Sequence, residues 1–179
     1  MTIDRNKALA AAVDCGLPLD ALVQRDLPAF EQATQLEIAE TAPDGREHLL
    51  TPAAADAWRR LKAAATADGI DLFIASAFRS VERQAEIIRR KLERGLSVED
   101  ILAVSAPPGF SEHHTGRAID VSTPGVTPLE VEFEQTDAYA WLLQHAGEFG
   151  FVLSYPEGNA CGFQYEPWHW CYADAVDVA

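Results

Sequence analysis

The chain has 179 residues, 48% hydrophobic and 23% charged, which are the values of a folded domain with a real core and exclude a disordered chain. Its net charge of −14 excludes nucleic acid and anionic membrane surfaces as partners, and makes binding of any anionic ligand depend on a local positive site. No apolar run approaches the roughly 18 residues of a membrane span. Met1 to Lys7 is polar and Asp14 cuts short the run from Ala8 to Val13, so no signal peptide is read. The expected address is cytoplasmic as the chain is written, or exported if a leader has been removed. Three cysteines, Cys15, Cys161 and Cys171, make neither a disulfide framework nor a Cys-x-x-Cys metal pair. Cys161 and Cys171 are read as small buried thiols, although paired strands flanking them would let them meet.

Residues 1–34 read as one or two short helices, with Ala8, Ala12 and Cys15, then Leu19, Leu22 and Val23, at helical spacing around the breakers Gly16 and Pro18. Leu36–Ala39 and His48–Leu50 suggest two short strands around a turn at Pro43-Asp-Gly45, with His48 at the surface. Thr51-Pro52 opens a helix whose stripe is Ala54, Ala57, Trp58, Leu61, Ala64 and Ala65, closed by Gly69. Residues 70–76 form the best strand in the chain. Ser80 caps a helix that turns Ala85, Ile87, Ile88 and Leu92 inward and Arg89, Arg90, Lys91 and Arg94 to water. Ser97 starts another short helix, and Ala106-Pro-Pro-Gly-Phe110 is a rigid loop. A strand follows from Arg117 to Ser122, with Ala118 and Asp120 on one face. Thr136 caps a helix to Ala146 in which Leu142 and Leu143 make core contacts. The C-terminal part reads as strands at 150–155 and 162–165 around a turn at Pro156–Asn159.

The chemistry is concentrated in two runs, Ser111-Glu-His-His-Thr-Gly-Arg-Ala-Ile-Asp120 and Glu166-Pro-Trp-His169, which hold three of the five histidines. A zinc hydrolase needs three nitrogen or oxygen ligands, a coordination position left for water, and a nearby carboxylate as base. His113, Asp120 and His169 meet the first need and Glu166 the last. Pro167 biases Glu166 towards extended backbone, and a bend there would bring a base at i and a ligand at i+3 to one metal. Residue chemistry does not choose between the adjacent His113 and His114.

Ser111, His113, Gly116, Ala118 and Asp120, followed by Glu166, Trp168 and His169 in order and spacing, resemble the VanY-type zinc D-alanyl-D-alanine carboxypeptidases. Related groups are D-Ala-D-Ala dipeptidases, L,D-carboxypeptidases and the Hedgehog signalling domain. The likeness runs from about Thr51 to Tyr172. It implies an α+β fold of the Hedgehog and D-Ala-D-Ala peptidase kind, a small, mainly antiparallel sheet with packed helices and the metal on its exposed face. It also implies two segments, 1–50 as an extension packed on the core and 51–179 as the peptidase domain. The spacing of the family selects His113 over His114. The resemblance further implies one zinc per chain, held by His113, Asp120 and His169, and Glu166 as catalytic base. Phe78-Arg79-Ser80 with Gln84 matches a pattern in which the arginine grips the substrate's C-terminal carboxylate. Ser111 and Gln84 are read as supporting hydrogen bonds and Trp168 as a wall of the metal pocket. One position departs: relatives often carry arginine before the tyrosine that Cys171 precedes here. The implied reaction is removal of the terminal D-alanine from peptidoglycan stem peptides. L,D-carboxypeptidase and dipeptidase activity are alternatives, and a zinc-binding recognition module is the non-enzymatic one. Glu166 beside a full ligand set argues against the last.

Overall fold

The computed structural model describes residues 4–173, so the outer ends of the two expected segments, 1–3 and 174–179, lie outside the described residues. The N-terminal part folds as α1 (Arg5–Asp14) and α2 (Leu19–Val23), then a hairpin of β1 (Glu37–Thr41) and β2 (Glu47–Leu50). Asp4 caps α1 by accepting from the Asn6 N–H at 3.0 Å. His48, expected at the surface, is buried on β2, because period-two alternation places it on the same inward face as Leu50.

Helix α3 (Pro52–Ala67) starts with Pro52 in its first turn and buries Ala54, Ala57, Trp58, Leu61 and Ala65 of the expected stripe, with Ala64 half-buried and Ala55 buried in addition. Thr51 contributes its backbone carbonyl to Ala55, and its side chain makes no cap. β3 is only Phe73–Ser76, because Ile70 is still held by the Ala65 carbonyl at the wrapped end of α3. Glu40 joins three elements, accepting from Trp58 Nε1 at 3.0 Å, Lys62 Nζ at 2.8 Å and the Ile74 N–H at 3.1 Å.

After β3 come α4 (Val81–Glu93), capped by Ser80, and α5 (Val98–Val104), capped by Ser97. They are followed by β4 (Ala118–Ser122), α6 (Asp137–His145) capped by Thr136, β5 (Phe151–Leu153) and β6 (His169–Tyr172). The main sheet runs β3-β4-β6-β5 with every neighbouring pair antiparallel. Two expectations need correction. Leu143 is exposed, on the outer side of α6. Residues 162–165 are not a strand: their hydrogen bonds go to Ala103, Asn159 and Arg25, and the ladder is taken by His169–Tyr172. Cys171 therefore faces Ala118 and Val152 across the sheet, and no disulfide joins it to Cys161.

Two apolar clusters sandwich the sheet. Ile74, Ile119, Val121 and Trp170 pack with Trp58, Leu61 and Leu142 on one side. Leu17, Leu22, Ile88, Ile101, Phe110, Tyr155 and Phe163 make the other cluster, between α1, α2, α4 and α5. Alternation along β4 therefore turns Asp120 towards the second layer. That face is not the open one expected, since all five residues of β4 are buried. No helix among the described residues is long and apolar enough to cross a membrane.

The N-terminal segment braces the loop that leads into the histidine motif. The Phe30 N–H bonds the Gly109 carbonyl at 2.9 Å, and the Ala33 N–H bonds the His114 carbonyl at 2.8 Å. Gly109 sits at φ +85, and a Cβ there would lie 2.6 Å from Ala8 Cβ and 2.8 Å from Ala8 Cα on α1. Gly109→Ala combines left-handed strain with a backbone collision, so it is expected to cost about 2–4 kcal/mol in urea unfolding. A loss below about 1 kcal/mol would mean that α1 moves aside freely.

Candidate active site

β4 and β6 pair in the register that sets Asp120 opposite His169, with Ser76 of β3 on the other side of Asp120. His113 comes from a 3₁₀ turn, Glu112–Thr115, that ends at Gly116 with φ +65. The left-handed backbone there suits glycine, and a Cβ would also crowd Leu36 Cδ2 at 2.8 Å and Ala33 Cβ at 3.3 Å. Donor atoms of His113, Asp120 and His169 all lie within 4.8 Å of one another, on buried residues.

The orientation of each ring follows from its outer hydrogen bond. His113 Nδ1 lies 2.7 Å from the Ala77 carbonyl, which can only accept, so Nδ1 carries the proton. Its Nε2 keeps a lone pair, is buried without a hydrogen-bond partner, and lies 3.2 Å from Asp120 Oδ2. His169 places Nδ1 2.9 Å from Asp120 Oδ1 and Nε2 2.9 Å from Glu112 Oε2. The Tyr155 ring covers His169 at 4.6 Å between centroids. His114 lies outside this cluster. It donates from Nδ1 to the Arg79 carbonyl at 2.7 Å and accepts at Nε2 from the Gly109 N–H at 3.0 Å, which makes it a strut between two loops.

Burial, helped by the Arg79 charge, pushes His113 down to about 4, which preserves its lone pair. For Asp120, burial is outweighed by the two imidazoles, which hold the carboxyl well below the usual range. For His169, burial is outweighed by the bonds to Asp120 and Glu112, and the ring is pushed up, holding a proton between two carboxylates. An orphaned imidazole nitrogen, a second imidazole and an ionised carboxylate converging in a dry site form a donor set for a borderline-soft divalent ion.

Glu166, Pro167, Trp168 and His169 form the expected bend, a turn in which the Glu166 carbonyl accepts from the His169 N–H at 3.1 Å. It brings Glu166 Oε2 to 3.8 Å from His169 Nδ1. Burial pushes the Glu166 carboxyl up to about 7, opposed by His169 and helped by the Asp120 charge, so it can take and return a proton near neutrality.

Arg79, Gln84, Ser111 and Glu166 line an inner chamber of about 40 Å³ with His113 and His169. Arg79 Nε is buried without a partner, and its side chain makes no ion pair among the described residues. Gln84 Nε2 donates to the Ala106 carbonyl at 2.7 Å, leaving Oε1 buried and unpartnered. The chamber adjoins an outer cleft of about 580 Å³, into which Arg79, Glu166, Asp120 and Trp168 also face. That volume suits a short peptide. A depression of about 620 Å³ beside α1 is lined by no histidine or cysteine.

The family model of D-alanyl-D-alanine carboxypeptidases, VanY, matches residues 47–175, a stretch that holds all of these residues. The chain belongs to the VanY family. A D-alanyl-D-alanine carboxypeptidase of Enterococcus faecalis is 34% identical over 119 residues, which are 61% of this chain and 42% of the relative. The bifunctional D-Ala-D-Ala dipeptidase and carboxypeptidase VanXYC of Enterococcus gallinarum is 33% identical over 129 residues, 69% of this chain and 66% of that protein. This VanY-family chain thus spans under half the length of the Enterococcus faecalis relative. Among solved structures, the LdcB LD-carboxypeptidase matches with TM-score 0.71 and 29% identity, over 81% of this chain and 71% of LdcB. VanYB in complex with D-alanine-D-alanine matches with TM-score 0.65 and 26% identity, over 83% of each chain. A VanY D,D-pentapeptidase variant in complex with Zn(II) matches with TM-score 0.60 and 26% identity, over 89% of this chain and 84% of that one.

Sequence reasoning missed Glu112. Its only signal was its place between Ser111 and His113, and what it does depends on a contact with a residue 57 positions away. By accepting from Nε2–H of His169 it fixes the ring so that Nδ1, which donates to Asp120 here, would face a metal once that proton is released. Glu112→Ala is expected to weaken binding of a titrated divalent ion roughly 10–100-fold while leaving the circular dichroism spectrum unchanged. Unchanged ion affinity would show that Asp120 and Tyr155 orient the ring unaided.

Proposed function

We propose that this chain is a zinc-dependent carboxypeptidase that removes the terminal D-alanine from peptidoglycan stem peptides, with one zinc held by His113, Asp120 and His169. The observation that carries this reading is the buried donor cluster of His113, Asp120 and His169 with the Glu166 carboxylate 3.8 Å from one of its histidines. When bound, zinc supplies Lewis acidity that activates water and polarises a carbonyl. Glu166 accepts the water's proton as the new C–O bond forms, then returns it to the departing amine as the C–N bond breaks. Arg79 offers its guanidinium to the terminal carboxylate, with the Ser111 hydroxyl as a neighbouring donor in the same chamber. Gln84 is a further hydrogen-bonding group of the same chamber. Its unpartnered atom is the acceptor Oε1, which suits a substrate N–H rather than a carboxylate. Trp168 gives the outer cleft an aromatic wall.

Hydrolysis of stem tetrapeptides by an L,D-activity is the second reading, favoured by the likeness to LdcB. Mass spectrometry of tetrapeptide and pentapeptide stems incubated with zinc-loaded protein separates the two, since the proposed D,D-activity shortens only the pentapeptide. Glu166→Gln is expected to keep the zinc content and lower turnover roughly 10²–10⁴-fold, the range of general acid–base catalysis. Loss of zinc in that variant would make Glu166 a ligand, and undiminished turnover would put the base elsewhere.

Amidation of the substrate's C-terminus is expected to raise the barrier by roughly 2–4 kcal/mol, the scale of losing a charge-assisted pair in a buried site. Arg79→Ala should lose as much on the free acid and little more on the amide. An amide cleaved as fast as the acid would make the protein an endopeptidase.

A further inference from the structure

Lys91 belongs to the cleft and not to the solvated face that its neighbours suggest. Arg89, Arg90 and Arg94 are exposed, whereas Lys91 is half-buried. Lys91 shares a face of α4 with Gln84 and Ile87, at i, i+3 and i+7, and that face borders the two connected chambers. Its Nζ lies 2.6 Å from Ser105 Oγ, a neutral partner, and it forms no ion pair among the described residues. Burial and then the Arg79 charge push its ammonium down, while Glu166 acts in the opposite direction. The acids lining the outer cleft are Asp120, Glu130 and Glu166. Asp120 is engaged by two histidines, Glu166 lies against His169, and Glu130 is exposed at the rim.

Arg79 and Lys91 thus hold two positive charges on one cleft of a protein whose net charge is −14. Their positions differ: Arg79 lines both chambers, and Lys91 lines only the outer one. Resting on the carboxypeptidase reading, we propose that Lys91 is a specificity residue that receives a second carboxylate, carried by the substrate upstream of the scissile bond. Arg79 is left to the terminal carboxylate. The preferred substrates are then peptides with one acidic group at the C-terminus and another on the body of the chain. Ile87 and Trp168, both partly buried, add apolar lining to the same cleft, which strengthens pairing of a cation there with an anion.

The test uses synthetic peptides ending in D-alanyl-D-alanine, with a carboxylate or the isosteric carboxamide on each of the two preceding residues in turn. For one of those positions, the zinc-loaded protein is expected to cleave the acid with a kcat/KM roughly 5- to 50-fold above the amide, mainly through KM. Lys91→Met should remove that preference, Lys91→Arg should restore most of it, and both variants should keep the melting temperature. An unmodified protein indifferent to the change at both positions overturns the proposal. So does a Lys91→Met protein that loses equally on acid and amide, which would make Lys91 a strut for Ser105. Calorimetric binding of the same peptides to zinc-loaded Glu166→Gln protein reads the contact without turnover. If the unmodified protein cleaves neither peptide but this variant prefers the acid, the Lys91 contact stands and the activity reading fails. If the variant binds acid and amide equally, the Lys91 proposal fails whatever the activity.

Discussion

The site depends on the antiparallel register between β4 and β6, which sets Asp120 directly across from His169. Side chains alternate along a strand, so a slip of one residue would turn Ile119 and Trp170 towards the metal face and bury the ligands in the apolar cluster. The register is held by that cluster, where Ile119, Val121 and Trp170 pack against Trp58, Leu61 and Leu142. Core packing on one face of the sheet thereby places two of the three donors on the other. A chain whose core was merely apolar, without this alternation, would leave the donors unaligned.

Ionisable groups in a dry layer are costly unless each finds a partner. Here the partners form a continuous set. Ala77 takes the outer proton of His113, Glu112 takes that of His169, and Asp120 lies between the two rings. Within that set the orphan is His113 Nε2, and it is aimed into the donor cluster. The neighbouring His114 has the same chemistry and a different environment: both of its nitrogens are used in bracing Gly109 and Arg79.

The N-terminal segment largely precedes the family match, which begins at residue 47, yet it backs the ligand-bearing loop. Phe30 and Ala33 hydrogen-bond that loop, Gln32 receives the first N–H of α4, and Arg25 donates to the Leu102, Cys161 and Gly162 carbonyls. Site geometry built on loops needs rigid support, and these bonds provide it from outside the strands and turns of the site. The same layering shapes the cleft's charge. The cations of the outer cleft are Arg79, just before the Ser80 cap of α4, and Lys91 in its last turn.

Much of this was legible in the sequence because it depends on short-range rules. Pro52, Ser80, Ser97 and Thr136 mark helix starts through local sterics and capping, and the helices begin where they point. The family spacing singled out His113, Asp120, Glu166 and His169, which the fold brings together, and Pro167 foretold the turn that brings Glu166 beside His169. Tertiary structure decided what depends on distant partners. The strand expected at 162–165 gave way to irregular backbone because its hydrogen bonds are taken by Ala103, Asn159 and Arg25. His48 and Lys91 look like surface residues by type, but one is turned inward by the hairpin's alternation and the other by the helix face that borders the cleft. Glu112 acquires its place only when the chain brings His169 against it. Local sequence sets backbone preference and residue chemistry, whereas the direction of a side chain's lone pair or charge is set by neighbours that only folding supplies.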